Sequence, residues 1–290
     1  MRKNKWFWTM VILVVGIGIT ALNGLAAEKT LTLKPEALVG QLNLVFNISG
    51  ATLKIVQSTD NTYIVKAVVT YSDTCLEPSL SQDVTEGTLS ATFNSGVILG
   101  SYPPGTVHDW QITFGAYATS TNLSVNLGGV SGDLDFGAMP LKNLNAELGA
   151  CALNIDFSTP TRTAVDQIIV NSGGVGMSLI NVGNTDFNHL TLNTGGSKTQ
   201  IDFAGTYSTG QHYCEIGMGG GYLSLSVPKS AGELLQASTV ATPLRVSGDT
   251  WIQETKLPFF KKYVTDDYDT QNVLIDFYVQ AAGSVIFVNR

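Results

Sequence analysis

Charge is scarce in this chain. Only 13% of its 290 residues are charged, and 16 Lys plus Arg stand against 23 Asp plus Glu, a net charge of −7. No basic stripe runs through the body of the chain, which argues against nucleic acid as a partner. Cysteine is nearly absent. Cys75, Cys151 and Cys214 are an odd number and form no disulfide framework, so three unpaired, mostly buried thiols are the expectation, with one bridge left open. His108, His189 and His212 are the only histidines. His189 and His212 precede neighbouring repeats, but two histidines without a nearby third ligand do not make a metal site. No Ser-His-Asp arrangement can be drawn, and no glycine motif leads from a strand into a helix. Catalytic, cofactor-binding and metal residues are therefore expected to be none.

What the chain has instead is glycine (30 residues), 44% hydrophobic residues and a repeated sentence. Five copies read LSVNLGGVSGDLDF from Leu123, LNAELGACALNIDF from Leu144, IIVNSGGVGMSLIN from Ile168, LTLNTGGSKTQIDF from Leu190 and CEIGMGGGYLSLSV from Cys214. Their starts are 21, 24, 22 and 24 residues apart, a period that marks stacked coils with insertions confined to one loop per coil. Apolar residues recur two apart: Leu123, Leu144, Ile168, Leu190 and Cys214 at the first position, then Leu134, Ile155, Leu179, Ile201 and Leu225 at the twelfth. That alternation means strands with one buried face. Glycine pairs such as Gly128-Gly129 and Gly195-Gly196 sit between the two strands of each unit, where φ > 0 or a close approach of coils is expected. The fold class is all-β, a right-handed β-helix or β-solenoid with an N-terminal β capping region.

On the motifs "LNAELGACALNIDF", "LSVNLGGVSGDLDF" and "LSLSVPKSAG", extended upstream by "LNLVFNISGATLKI" and "HDWQITFG", the chain resembles the bacterial toastrack families, which are related to adhesin-type β-solenoids and to the solenoid half of Lia-type envelope-stress regulators. The resemblance implies the solenoid fold and a role in surface attachment or envelope-stress sensing. It carries no catalytic residues over, because these families share none.

In chain order, residues 1–27 read as an export segment: Arg2, Lys3 and Lys5, an apolar run from Trp6 to Leu22, then small residues Gly24, Ala26 and Ala27. Cleavage there would take the net charge from −7 to −10, whereas retention of residues 6–25 would anchor the chain in a membrane. Residues 28–115 read as a β region that caps the stack, with Trp110 at its junction with the array; residues 116–290 read as the solenoid, with 272–288 as its closing coil.

Several columns are weighed as sites. Asp135, Asp156 and Asp202 share the thirteenth position with Ile180 and Ser226. Neighbouring carboxylates would lie about 5 Å apart, within reach of a hard cation. The column is broken, however, and the calcium-binding nonapeptide is missing, so solvated strand-face carboxylates are expected. Asn126, Glu147, Asn171 and Asn193 share the fourth position with Gly217 and are expected to hydrogen-bond along the stack. The cations within 123–227 are Lys142, Arg162 and Lys198, in no common column, so the groove of a carbohydrate-active β-helix enzyme is not built. The partner-contact candidate is Phe259, Phe260, Lys261, Lys262 and Tyr263; the competing account is that the phenylalanines cover the end of the core. The expected function is a non-catalytic, exported cell-envelope module that binds an unknown protein or envelope polymer. The alternative is a membrane-anchored regulator.

Overall fold

The computed structural model describes residues 26–35, 40–72, 75–95, 106–116, 120–174, 176–248 and 250–290; of the export segment read at residues 1–27, residues 1–25 lie outside them. Strands β1 (Ala27–Leu33), β2 (Gln41–Ser49), β3 (Thr52–Gln57), β4 (Val65–Tyr71), β5 (Ser79–Thr85), β6 (Thr88–Asn94) and β7 (His108–Phe114) come first. The repeats supply β8 (Ser120–Gly128), β9 (Ser131–Asp135), β10 (Leu141–Leu148), β11 (Ala152–Asp156), β12 (Gln167–Ser172), β13 (Gly176–Ile180), β14 (His189–Asp202) and β15 (Gly210–Ser226). Then follow β16 (Gly232–Val240), β17 (Leu244–Ser247), β18 (Trp251–Lys256), β19 (Phe260–Thr265), β20 (Val273–Ala282) and β21 (Ser284–Asn289).

Each coil has two strands, one in each of two facing walls. The first wall stacks β6, β2, β8, β10, β12, β14, β15, β20 and β16 in parallel, and the second stacks β7, β3, β9, β11, β13, β14, β15, β21 and β17. β14 and β15 pass the corner without a break and so belong to both walls. Parallel pairing places like positions above one another. Ala91, Leu44, Leu123, Leu144, Ile168, Leu190, Cys214, Phe277 and Leu235 form one fully inward column. Ile112, Ile55, Leu134, Ile155, Leu179, Ile201, Leu225 and Val288 face it from the other wall. Each Leu, Ile, Val or Phe in these columns contributes about 1.5–3 kcal/mol by leaving water. Cysteine at 214 follows from packing, since its small side chain sits beside Phe277 in the column. All three thiols are free and buried, and burial pushes the Cys214 thiol well up, so it stays protonated.

The coils do not stack in chain order. β2/β3 sits between β6/β7 and β8/β9, and β20/β21 sits between β15 and β16/β17. Residues 272–288, read as the closing coil, therefore close the chain but not the stack; β16 and β17 lie outside them. Trp110 is likewise not at a junction with the array. It is fully buried on β7, with β3 between it and β9, and its Nε1–H donates to His108 Nε2 (2.9 Å). That bond needs a neutral imidazole, and burial holds the His108 pKa down. Antiparallel strands finish both ends: β5 on β6, β4 then β1 on β7, and β19 then β18 on β16.

The glycine corners divide into two kinds. Gly50, Gly129 and Gly283 have φ of 58°, 65° and 64°, in the left-handed region where L side chains are strained. Gly149, Gly173 and Gly195 are not left-handed; they let one corner lie close on the next. The tightest approach is outside the corners, at Gly132, where a Cβ would stand 1.7 Å from the Leu53 carbonyl oxygen of the adjacent coil. Gly132→Ala is accordingly expected to cost about 3 kcal/mol by forcing two coils apart. Gly174→Ala, which meets nothing within 4 Å, should stay within about 0.5 kcal/mol of the parent. Urea midpoints of the two variants check the contrast.

Candidate functional site

The candidate contact residues lie on the β18–β19 hairpin, at the end of the first wall. Leu257 N–H donates to the Phe260 carbonyl (2.8 Å), leaving Pro258 and Phe259 as the two turn residues. Proline presets the first turn position. The Phe259 carbonyl accepts from Thr239 N–H (2.8 Å), which pins the tip to the end of β16 beside Val240. The structure separates the five candidates. Phe259 is 64% exposed at the apex, Phe260, Lys261 and Lys262 are half-buried, and Tyr263 packs against the core. Phe259 therefore does not cover the end of the core. Lys262 Nζ pairs with Glu254 (2.7 Å), while Lys256 and Lys261 stand directly opposite each other across the hairpin. Three contributors to this patch have no column position to reveal them: Val240 (56% exposed), Lys256 and Leu257 (57% exposed).

A buried ionic latch roots the hairpin. Glu233, on β16, is fully buried, and its Oε2 lies 2.9 Å from Arg290 Nε. Arg290 Nη2 also donates to Asp267 Oδ1 and Oδ2 (3.0 and 2.7 Å) and to the Ala231 carbonyl (2.8 Å). Burial pushes Glu233 up to about 8 even with Arg290 beside it. Asp267 is moved upward by burial too, but the hydrogen bonds from Arg290, Thr265 and Gln271 outweigh this and its pKa ends low. Arg290 is thus neutralised chiefly by Asp267, which leaves Glu233 free to hold a proton.

The polar columns are engaged with one another. Asn47 Nδ2 donates to Asn94, Asn126 to Asn47, Asn171 to Glu147 and Asn193 to Asn171, all at 2.7–2.9 Å and all toward the preceding coil. Asn122 and Asn143 extend a second ladder from Asn43. An open trough of about 650 Å³ follows the first ladder past Glu147, Asn171, Asn193 and Gly217, where the amide column is interrupted. The thirteenth-position carboxylates cap turns. Asp135 accepts from Gly137 N–H and from the Ser158 hydroxyl, Asp156 from Asn181 and Asp202 from Ala204 N–H. His189 faces outward, stacked on Tyr213 at 5.2 Å, while His212 is buried with Nδ1 2.5 Å from the Phe187 carbonyl. His108 lies far from both, at the opposite end of the stack. Among the described residues no three His, Cys, Asp or Glu side chains gather in a way that could hold a metal.

Residues 25–180 match the family model for the N-terminal domain of toast_rack (DUF2154). No curated protein matches the chain. Among solved structures, it is similar to one described as a "putative cell adhesion protein" from Clostridium sporogenes, with a TM-score of 0.53 and 16% identity over 91% of this chain and 99% of that one. A "putative adhesin" from Bacteroides fragilis aligns at a TM-score of 0.38 and 10% identity, over 91% and 96% of the two chains.

The latch sets the pH dependence. Stability from protonated Glu233 is fully present below its ordinary value of 4.5 and is lost as pH rises through about 8. The parent Tm should fall between pH 5 and 9, and Glu233→Gln should flatten that fall. Arg290→Ala should cost about 3–5 kcal/mol at pH 9, by stranding a buried carboxylate, and less at pH 5. Thermal melts across this range test the assignment; identical slopes for parent and Glu233→Gln would mean that Glu233 stays ionised throughout.

Proposed function

Since the chain belongs to the toast-rack family, we propose that it is a non-catalytic binding or scaffold module of the cell envelope, exported by way of residues 1–27. The observation that carries this reading is the division of the surface. Amide ladders bond side chain to side chain along the first wall, whereas three of the eight large apolar side chains exposed among the described residues, Val240, Leu257 and Phe259, collect at the hairpin tip. A rigid body with self-satisfied walls and a prominent contact point is suited to holding something at a fixed place. The cell-adhesion description of the Clostridium sporogenes structure is consistent with that role.

The pairing of the first described strand supports export. β1 pairs with β4 from Ala27, opposite Tyr71, to Leu33, so removal of residues 1–27 would take only the first of its seven paired residues. Retention would instead hold the solenoid within a few residues of the membrane, as the anchored-regulator alternative requires. N-terminal sequencing of the protein from fractionated host cells distinguishes the two. A start near Ala27 in the soluble exported fraction is the expected result. An intact Met1 in the membrane fraction would select the anchored form, and recovery from the cytosol would overturn the proposal.

A further inference from the structure

Among the described residues eight large apolar side chains are exposed, and five of them share one edge, the exceptions being Val84, Ile252 and Tyr278. Leu76, Val107, Val240, Leu257 and Phe259 lie on one long edge of the solenoid, the edge where the glycine corners join the two walls. Strand direction establishes this. β8 and its parallel neighbours run toward that edge, β16 ends there at Val240, and antiparallel β19 therefore begins there at Phe260. On the second wall β7 starts at that edge, so antiparallel β4 ends there at Tyr71 and β1 begins there at Ala27. The hairpin tip and the entry of the export segment thus share an edge, at opposite ends of a stack about 50 Å long at ~4.8 Å per strand. Between them the corners are mostly glycine and stand low.

We propose that the β18–β19 hairpin is a lipid-docking element, seating Leu257 and Phe259 in the interface of an anionic bilayer with Lys256 and Lys261 at the headgroup phosphates. This deepens the envelope reading above by naming the surface that is bound. Like charges directly opposite each other in an antiparallel pair are destabilising, and Lys256 faces Lys261 with no acid among the described residues bonded to either. An anionic surface relieves that repulsion. The nearby acid Glu254 is committed to Lys262, and Asp266 and Asp267 lie at the other end of the hairpin, about a Debye length or more away. The shape also favours lipid over protein. The tip is a convex knob pinned by the Thr239–Phe259 hydrogen bond, and lysines about 7 Å behind its apex match the depth of interfacial anchoring. Protein interface cores, by contrast, are depleted in lysine.

The test needs a readout local to the tip, because residues 6–25 would themselves carry the whole chain to vesicles. Leu257→Cys in the full chain takes an environment-sensitive dye while Cys75, Cys151 and Cys214 stay buried. Val84→Cys, exposed at the opposite edge, serves as the control. With vesicles of phosphatidylglycerol and phosphatidylcholine, dye at 257 should brighten and shift to the blue, and dye at 84 should not. Phosphatidylcholine alone should give a much weaker signal. Lys256→Glu with Lys261→Glu should lower the apparent affinity at least tenfold, as should Phe259→Ser. An unchanged signal at 257, equal responses at 257 and 84, or indifference to the lysine reversals overturns lipid docking. A photocrosslinker at 259 that captures a protein in cells, with no vesicle response, also overturns it. The fractionation experiment stands apart from this one, so failure here leaves the envelope reading intact.

Discussion

Parallel stacking requires every coil to set the same kind of atom above the same kind of atom every ~4.8 Å, and the rest of the molecule depends on that requirement. An apolar side chain meets it without difficulty, since Leu144 buries against Leu123 and Ile168 alike. A polar one meets it only if it can both donate and accept. Asparagine does so, which is why the fourth column is built from Asn47, Asn126, Asn171 and Asn193, each passing a hydrogen bond to the coil before. Glu147 accepts but cannot donate, and takes its place in the same column as the acceptor for Asn171.

A stack satisfied from within still has two ends, where the inward columns would face water and the last strands would offer unpaired backbone. This chain treats both ends of the first wall alike. It folds a later coil outside an earlier one at the start and an earlier coil outside a later one at the finish, then lays antiparallel strands across the first wall. At the finish, the outermost coil carries Glu233 in an inward row whose next members are Ile275 and His212. Arg290 and Asp267 are what make that coil tolerable at its place. Fixing one end by a buried charge ties the outer coil, the hairpin base and β21 into a single unit.

The coils themselves could be read from the sequence because a repeated column is a physical demand that leaves the same residue type at the same spacing. The order of stacking could not. Any coil with a matching apolar row fits on any other, so period alone does not say whether Gly232–Val240 or Val273–Ala282 lies outermost. Gly232–Val240 was harder still to recognise, since Glu233 and Thr239 put polar side chains at two of its inward places; Leu235 and Ala237 were the available signal. The hairpin was only half legible. The sequence drew attention to Phe259 and the lysines after it, but it could not separate exposed Phe259 from Tyr263 against the core, nor place Lys256 opposite Lys261. Those facts come from antiparallel register, which no repeat encodes.

The same economy of surface bears on where recognition can occur. On a wall whose amides are bonded to one another, a ligand must break an existing hydrogen bond for each new one it makes, so the exchange gains little. Apolar side chains left in water have no such bond to lose, and their removal from water is favourable whatever covers them. Recognition is therefore drawn away from the regular walls toward places where the repeat ends and antiparallel strands expose side chains outside any column. The hairpin is such a place. Its backbone is fixed by Pro258 and by the Thr239–Phe259 bond, so presenting Leu257 and Phe259 carries little ordering cost at the moment of contact. In a solenoid built this way the stacked coils hold the tip at a set distance from Ala27.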